Sequence, residues 1–164
     1  MSDKIPIRYI PFGLSKPDVV KQKKMLRKSK KLYQNRMFYT RRKLSSYKSK
    51  PSHHLANARR IYKVESIIPS QALAKASGCN IHALKQIVKK GEGAYYSSGS
   101  RPNQTPQSWG LARLASSLTS GKSAAIDYDI LENGCDHRKT AFRLANKSQK
   151  KYGYGHGKTR RRRI

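Results

Sequence analysis

Few side chains in this sequence are spaced as chemistry would require. Cys79 with His82 and Cys135 with His137 would make a two-cysteine, two-histidine zinc set, but the second pair has only one intervening residue, closer than structural zinc sites usually space their ligands. Each cysteine therefore reads as a small buried thiol at a helix end. The run "SGKS" at Ser120 to Ser123 echoes a phosphate-binding loop. That motif needs a glycine five positions before Gly121, where Ser116 stands, and a hydrophobic strand ahead of it, where a helix is expected. Asp127, Asp129 and Glu132 are the only close acids; Asp129 and Glu132 share a helix face and Asp127 points elsewhere, the pattern of surface ion pairing or a partner contact. No nucleophile has an evident base. The sequence predicts no enzyme, no cofactor and no metal.

The stretch "GEGAYYSSGSRPNQTPQSWG", Gly91 to Gly110, is the next candidate. It lacks the preceding strand and the following helix of a dinucleotide fingerprint. Tyr95, Tyr96, Pro102, Pro106 and Trp109 are large rigid groups, and Asn103 and the glycines permit tight turns, so the stretch reads as a structural clasp, with a ligand site as the alternative.

A third constellation points to nucleic acid. Leu73 and Ala74, Gly78 four residues after the alanine, and Leu84 and Ile87 have helix-turn-helix spacing. The arrangement leaves Ile81, His82, Lys85, Gln86 and Lys89 on the outer side of the second helix, where base edges are read. The alternative is an αα-corner that only packs.

The elements that must position these groups are helical. Ser15 with Asp18 resembles a capping box and Pro17 suits a first turn, predicting a helix from Lys16 to about Tyr33 with a thin apolar stripe through Val19, Val20, Lys23, Leu26, Lys30 and Tyr33. Ser52, Ser70 and Asn80 cap three further helices, the last stopping at Gly91; Thr105–Pro106 starts another, Ser123 to Glu132 forms one more, and Asp136 caps the last. Between the first two, Phe38, Tyr39 and Tyr47 interleave with cations in a short hairpin or an extended strip. The predicted fold is mainly α: a small core of four to five short helices with extended basic arms at both ends. Its segments are an arm (1–15), a basic helix and aromatic strip (16–63), a near-neutral core (64–147) and a glycine-rich basic tail (148–164).

Charge is the strongest signal. Of 164 residues, 37 are Lys or Arg and 8 are Asp or Glu, a formal charge of +29 with only 30 Leu, Ile, Val and Phe, which places the chain near the disordered side of the composition boundary. Residues 16–63 carry +16 and 137–164 carry +11, whereas 64–136 carry +1. Lys21, Lys24, Arg27, Lys28, Lys31, Arg41, Arg42, Lys43, Lys48, Lys50 and Arg160, Arg161, Arg162 and Arg163 are the candidate contacts to phosphates or to an acidic protein. Two cysteines make no disulfide framework, and neither a signal peptide nor an apolar spanning run is present, so a reducing compartment is expected.

The segment Lys89 to Cys135, together with "RKSKKLYQNRMFYTRRKLSSYKSKPSHH" upstream, resembles a family of small basic virion proteins of large icosahedral DNA viruses of algae and protists, the chlorella viruses among them. The resemblance implies a minor capsid protein inside the shell, made in the host cytoplasm and incorporated into the virion. Its implied partners are other capsid proteins including the major coat protein, genomic DNA, and an anionic inner membrane surface. It supplies no catalytic residues. Two functions remain open: cementing coat subunits through the basic arms, or condensing and anchoring the packaged genome.

Overall fold

The computed structural model describes residues 4–154 and 160–163; parts of both predicted arms lie outside them. Among the described residues the chain is mainly helical: α1 (Lys16–Gln34), α2 (His53–Tyr62), α3 (Gln71–Ser77), α4 (Ile81–Ser97), α5 (Pro106–Ser117), α6 (Lys122–Ile126), α7 (Tyr128–Gly134) and α8 (Thr140–Tyr152). Two short strands, β1 (Lys4–Pro6) and β2 (Arg161–Arg163), pair antiparallel with Ile5 opposite Arg162. No helix is long and apolar enough to cross a membrane.

Two compact units divide the chain. Unit 1 comprises Met1–Lys50, Glu92–Trp109 and Thr159–Ile164; unit 2 comprises Pro51–Gly91 and Gly110–Lys158. These divisions cut across the four predicted segments, because the N-terminal arm and the end of the tail join α1 in unit 1 through β1 and β2.

In unit 1, Ser15 caps α1 as its spacing predicts, accepting from the Asp18 amide at 3.3 Å, with Pro17 in the first turn. The buried stripe shares Leu26 with the predicted one, whose Val19, Lys23 and Tyr33 are half-buried and whose Val20 and Lys30 are exposed. Asp18, Gln22, Leu26 and Ser29 face inward. Each inward polar group has a partner: the Asp18 carboxylate accepts from the Ser46 amide and hydroxyl, Gln22 donates to the Tyr9 carbonyl at 3.0 Å, and Ser29 donates to the Tyr96 carbonyl at 3.2 Å. One apolar cluster gathers Ile5, Tyr9, Ile10 and Leu26, flanked by Leu14, Val19 and Trp109, whose ring meets Tyr9 edge-on at 6.1 Å; Leu44 and Tyr95 are buried outside it. The aromatic and basic stretch between α1 and α2 is the extended strip; it forms no hairpin.

Unit 2 has an apolar core. Leu73, Leu84, Ile87, Leu114, Leu118 and Leu131 are fully buried, and Ala58, Ala115, Ala124, Ala141 and Ala145 let the helices approach closely. Tyr62 lies among them with its hydroxyl on the Leu118 carbonyl, and burial pushes its phenol well above the ordinary tyrosine range. Gly91 does not stop α4. A Cβ there would come within 2.6 Å of the Gly110 Cα, so this glycine is where α4 and α5 cross, and α4 continues to Ser97. The helix predicted over Ser123 to Glu132 is broken in two at Asp127, which ends α6 and begins α7. Asp136 does not cap α8. It accepts from the Arg138 amide in a tight turn, and Lys139 occupies the capping position.

Cys79 and Cys135 form a disulfide, in place of the two free thiols expected. They face each other across an antiparallel bridge in which the Asn80 amide donates to Gly134 and the Asp136 amide to Gly78, both at 2.8 Å. Both sulfurs are committed to the disulfide, which removes the cysteine–histidine zinc set.

Candidate nucleic-acid interface

The α3–turn–α4 element has the caps and the turn that its spacing predicts. Ser70 accepts from the Leu73 amide at the start of α3, Gly78 ends that helix in the left-handed region at φ 79°, and Asn80 Oδ1 caps α4 through the Ala83 amide at 2.7 Å. Leu73, Cys79, Ala83, Leu84 and Ile87 point into unit 2 and are buried. His82, Lys85, Gln86 and Lys89 are all exposed on the opposite side, and Ile81 is half-buried at the edge. Two positions forbid larger residues here: a Cβ on Gly134 would lie 2.4 Å from that of Ala83, and one on Gly78 would lie 2.5 Å from the Lys139 side chain. The turn carrying Arg138 and Lys139 thus rests against the α3–α4 turn and is tied to it by the disulfide. Both cations are exposed. The local sequence does not signal that these cations lie beside the α3–α4 turn.

A buried ion pair backs this element. Asp127, fully buried, accepts from Arg113 through Nε at 2.9 Å and Nη2 at 2.7 Å and from the Ser117 hydroxyl at 3.0 Å, with Lys90 Nζ at 3.5 Å. The bidentate fork fixes α5 against the α6–α7 junction. Asp127 is therefore interior, separate from Asp129 and Glu132.

The predicted basic contacts fall into two groups. Lys21, Lys24, Arg27, Lys28 and Lys31 are exposed on α1, and the spacing of Lys21, Lys24, Lys28 and Lys31 puts those four on one face. Arg42, Lys43, Lys48, Lys50, Arg160, Arg161 and Arg163 are exposed as well. Arg41 is not available to a partner. Its guanidinium lies 3.8 Å from the Tyr95 ring centre and donates to the Ser29 hydroxyl, the Tyr95 carbonyl and the Ser100 hydroxyl at 2.8–2.9 Å, without a carboxylate, and burial pulls its pKa below the ordinary arginine value. Arg162 is half-buried and donates to the Ile10 carbonyl at 2.9 Å.

The 91–110 stretch occupies itself with its own unit. Its first seven residues are the last turns of α4. Tyr95 is fully buried, and its hydroxyl accepts from the Arg41 amide at 2.8 Å. Asn103, at φ 62°, accepts from the Leu44 amide and donates to the Leu44 and Tyr47 carbonyls, so one side chain pins the strip at two places. Pro102 is buried, Trp109 meets Tyr9, and Tyr96 stacks on Tyr33. The polar groups of Tyr95 and Asn103 are engaged by the strip.

By formal charge unit 1 has 21 basic and 3 acidic residues, +18, and unit 2 has 16 and 5, +11. Three acids are engaged internally, Asp18 by Ser46, Asp127 by Arg113 and Asp136 by Arg138, so little acid is left to offset the exposed lysines. No curated protein and no solved structure matches the chain. Residues 6–134 match a family model, and the chain belongs to that family, described as "Family of unknown function (DUF5824)".

Proposed function

We propose that the protein binds duplex DNA, with α4 as the element that enters the major groove and α1, the strip and the tail as sequence-independent phosphate contacts. The observation that carries this reading is the outward row of His82, Lys85, Gln86 and Lys89 on a capped helix, set by a three-residue turn against α3. Gln86 has the donor and acceptor to read adenine, and Lys85 can donate to guanine. The test is selection of bound sites from a random duplex pool. The wild type should enrich a short motif, and Gln86→Ala should lose about 1–3 kcal/mol at one base pair while leaving nonspecific binding intact. A pool that never departs from random composition contradicts base reading.

A second reading follows from the resemblance to virion proteins: a minor capsid component whose cationic surface engages acidic coat subunits from inside the shell. The α1 face favours it, because four like charges along one helix face repel and gain from an extended acidic partner of any kind. Retention in shells emptied of genome supports that role, and release with the DNA supports the first.

A further inference from the structure

Tyr33 near the end of α1, Phe38 in the strip and Tyr96 near the end of α4 form an open aromatic cluster in unit 1. Tyr33 and Tyr96 lie nearly parallel, 12° apart with centroids at 6.0 Å, and Phe38 leans on them at 6.1 and 5.1 Å. Phe38 is 68% exposed and Met37 beside it 49%, while Tyr33 and Tyr96 are half-buried, so the Phe38 ring does not serve a core.

The backbone is held unfavourably to place them. Arg36 has φ 57°, in the left-handed region where glycine ordinarily ends a helix, with its amide on the Tyr33 carbonyl at 3.0 Å and the Met37 amide on the Leu32 carbonyl at 2.9 Å. This closure turns the chain back so that Phe38 meets Tyr33. Cations lie next to it along the chain. The Lys28 ammonium sits 4.6 Å from the ring of Tyr39, the residue after Phe38, and Arg36 and Arg42 are exposed on the same strip. A purely apolar partner would be poorly matched to such a border. Flat π faces joined by regularly spaced negative charges are the chemistry of a single-stranded nucleic acid.

We propose that Tyr33, Phe38 and Tyr96 form a shelf on which unpaired bases of a single strand stack, with flanking phosphates on Lys28, Arg36 and Arg42. The shelf lies in unit 1 and acts independently of base reading by α4, since stacking tolerates any base and needs no groove.

The test uses the full chain and two single strands of equal length and charge, oligothymidylate and its abasic counterpart, at one salt concentration. Oligothymidylate should bind at least about tenfold more tightly. Phe38→Ala, which removes an exposed ring, should abolish that difference, and Phe38→Trp should preserve it. Equal affinity for the two strands overturns the proposal, as does a Phe38→Ala variant that keeps the preference. Polyglutamate provides the other arm: if Phe38→Ala weakens its binding and leaves oligothymidylate unchanged, the shelf serves an acidic protein and the proposal fails.

Discussion

Unit 2 is held by apolar burial and unit 1 by hydrogen bonds. The larger unit buries sixteen hydrophobic residues in one cluster, whereas unit 1 buries four in its own, with Leu44 and Tyr95 outside it, and also buries Asp18, Gln22, Ser29, Arg41 and Ser100. Apolar burial of this kind involves no charge that salt could screen or pH could titrate. A buried hydrogen-bond network is favourable only while every member is paired, and its loss is abrupt. Unit 1 also carries the greater share of the positive charge, so self-repulsion acts most strongly where the apolar core is smallest. That combination is the one expected if the proposed polyanion binding reinforces the order of this unit.

The contrast can be broken from either side. The largest effect is expected in unit 2, where Asp127→Ala leaves the largely buried Arg113 without its carboxylate and should cost about 3–5 kcal/mol. Denaturant unfolding followed by hydrogen exchange in α6 to α8 measures it, and a loss below about 1 kcal/mol would show that apolar burial alone holds the unit. Reduction of Cys79–Cys135, which closes a loop over a sequence separation of 56, should lower the stability of unit 2 by up to about 4 kcal/mol. Unit 1 should be unmoved. Conversely, Arg41→Met should cost unit 1 about 3 kcal/mol by removing the donor to the Tyr95 carbonyl and one hydrogen bond from each of two serine hydroxyls. Trp109 emission, sensitive to its contact with Tyr9, reports on that unit.

The smallest effect is a pH dependence of unit 1. Hydrogen bonds from the Ser46 hydroxyl and amide hold the Asp18 carboxyl below its ordinary value of 3.8. A depressed folded value contributes stability that is complete above the ordinary value and lost as pH falls through the lower one. Acid below about pH 4 should therefore loosen the Trp109 environment before it affects α8, and Asp18→Asn should remove the difference.

Much of the helical framework was legible because capping chemistry is local. Ser15, Ser70 and Asn80 mark their helices within a few residues, and the alternation of buried and exposed positions in α4 follows from its period. What was not legible depends on residues distant in sequence. Gly91 reads as a stop signal until Gly110 is brought against it. Arg41 reads as one more surface cation until Ser29, Tyr95 and Ser100 converge on it, and Asp127 is indistinguishable from Asp129 without Arg113. The cysteines have no spacing that announces a bond. The inward face of α1 misled for a different reason: hydrophobic patterning finds apolar stripes, and this stripe is polar, satisfied by partners elsewhere in unit 1.

Amide exchange of the full chain, with and without a duplex drawn from the selected pool, addresses the reading of α4 most directly. New protection should appear from Asn80 to Lys89 and around Arg138 and Lys139, and it should persist at salt concentrations that strip the α1 lysines from phosphate. Protection confined to α1, the strip and β2, with α4 exchanging as it does in the free protein, would contradict base reading and leave only nonspecific contact with DNA.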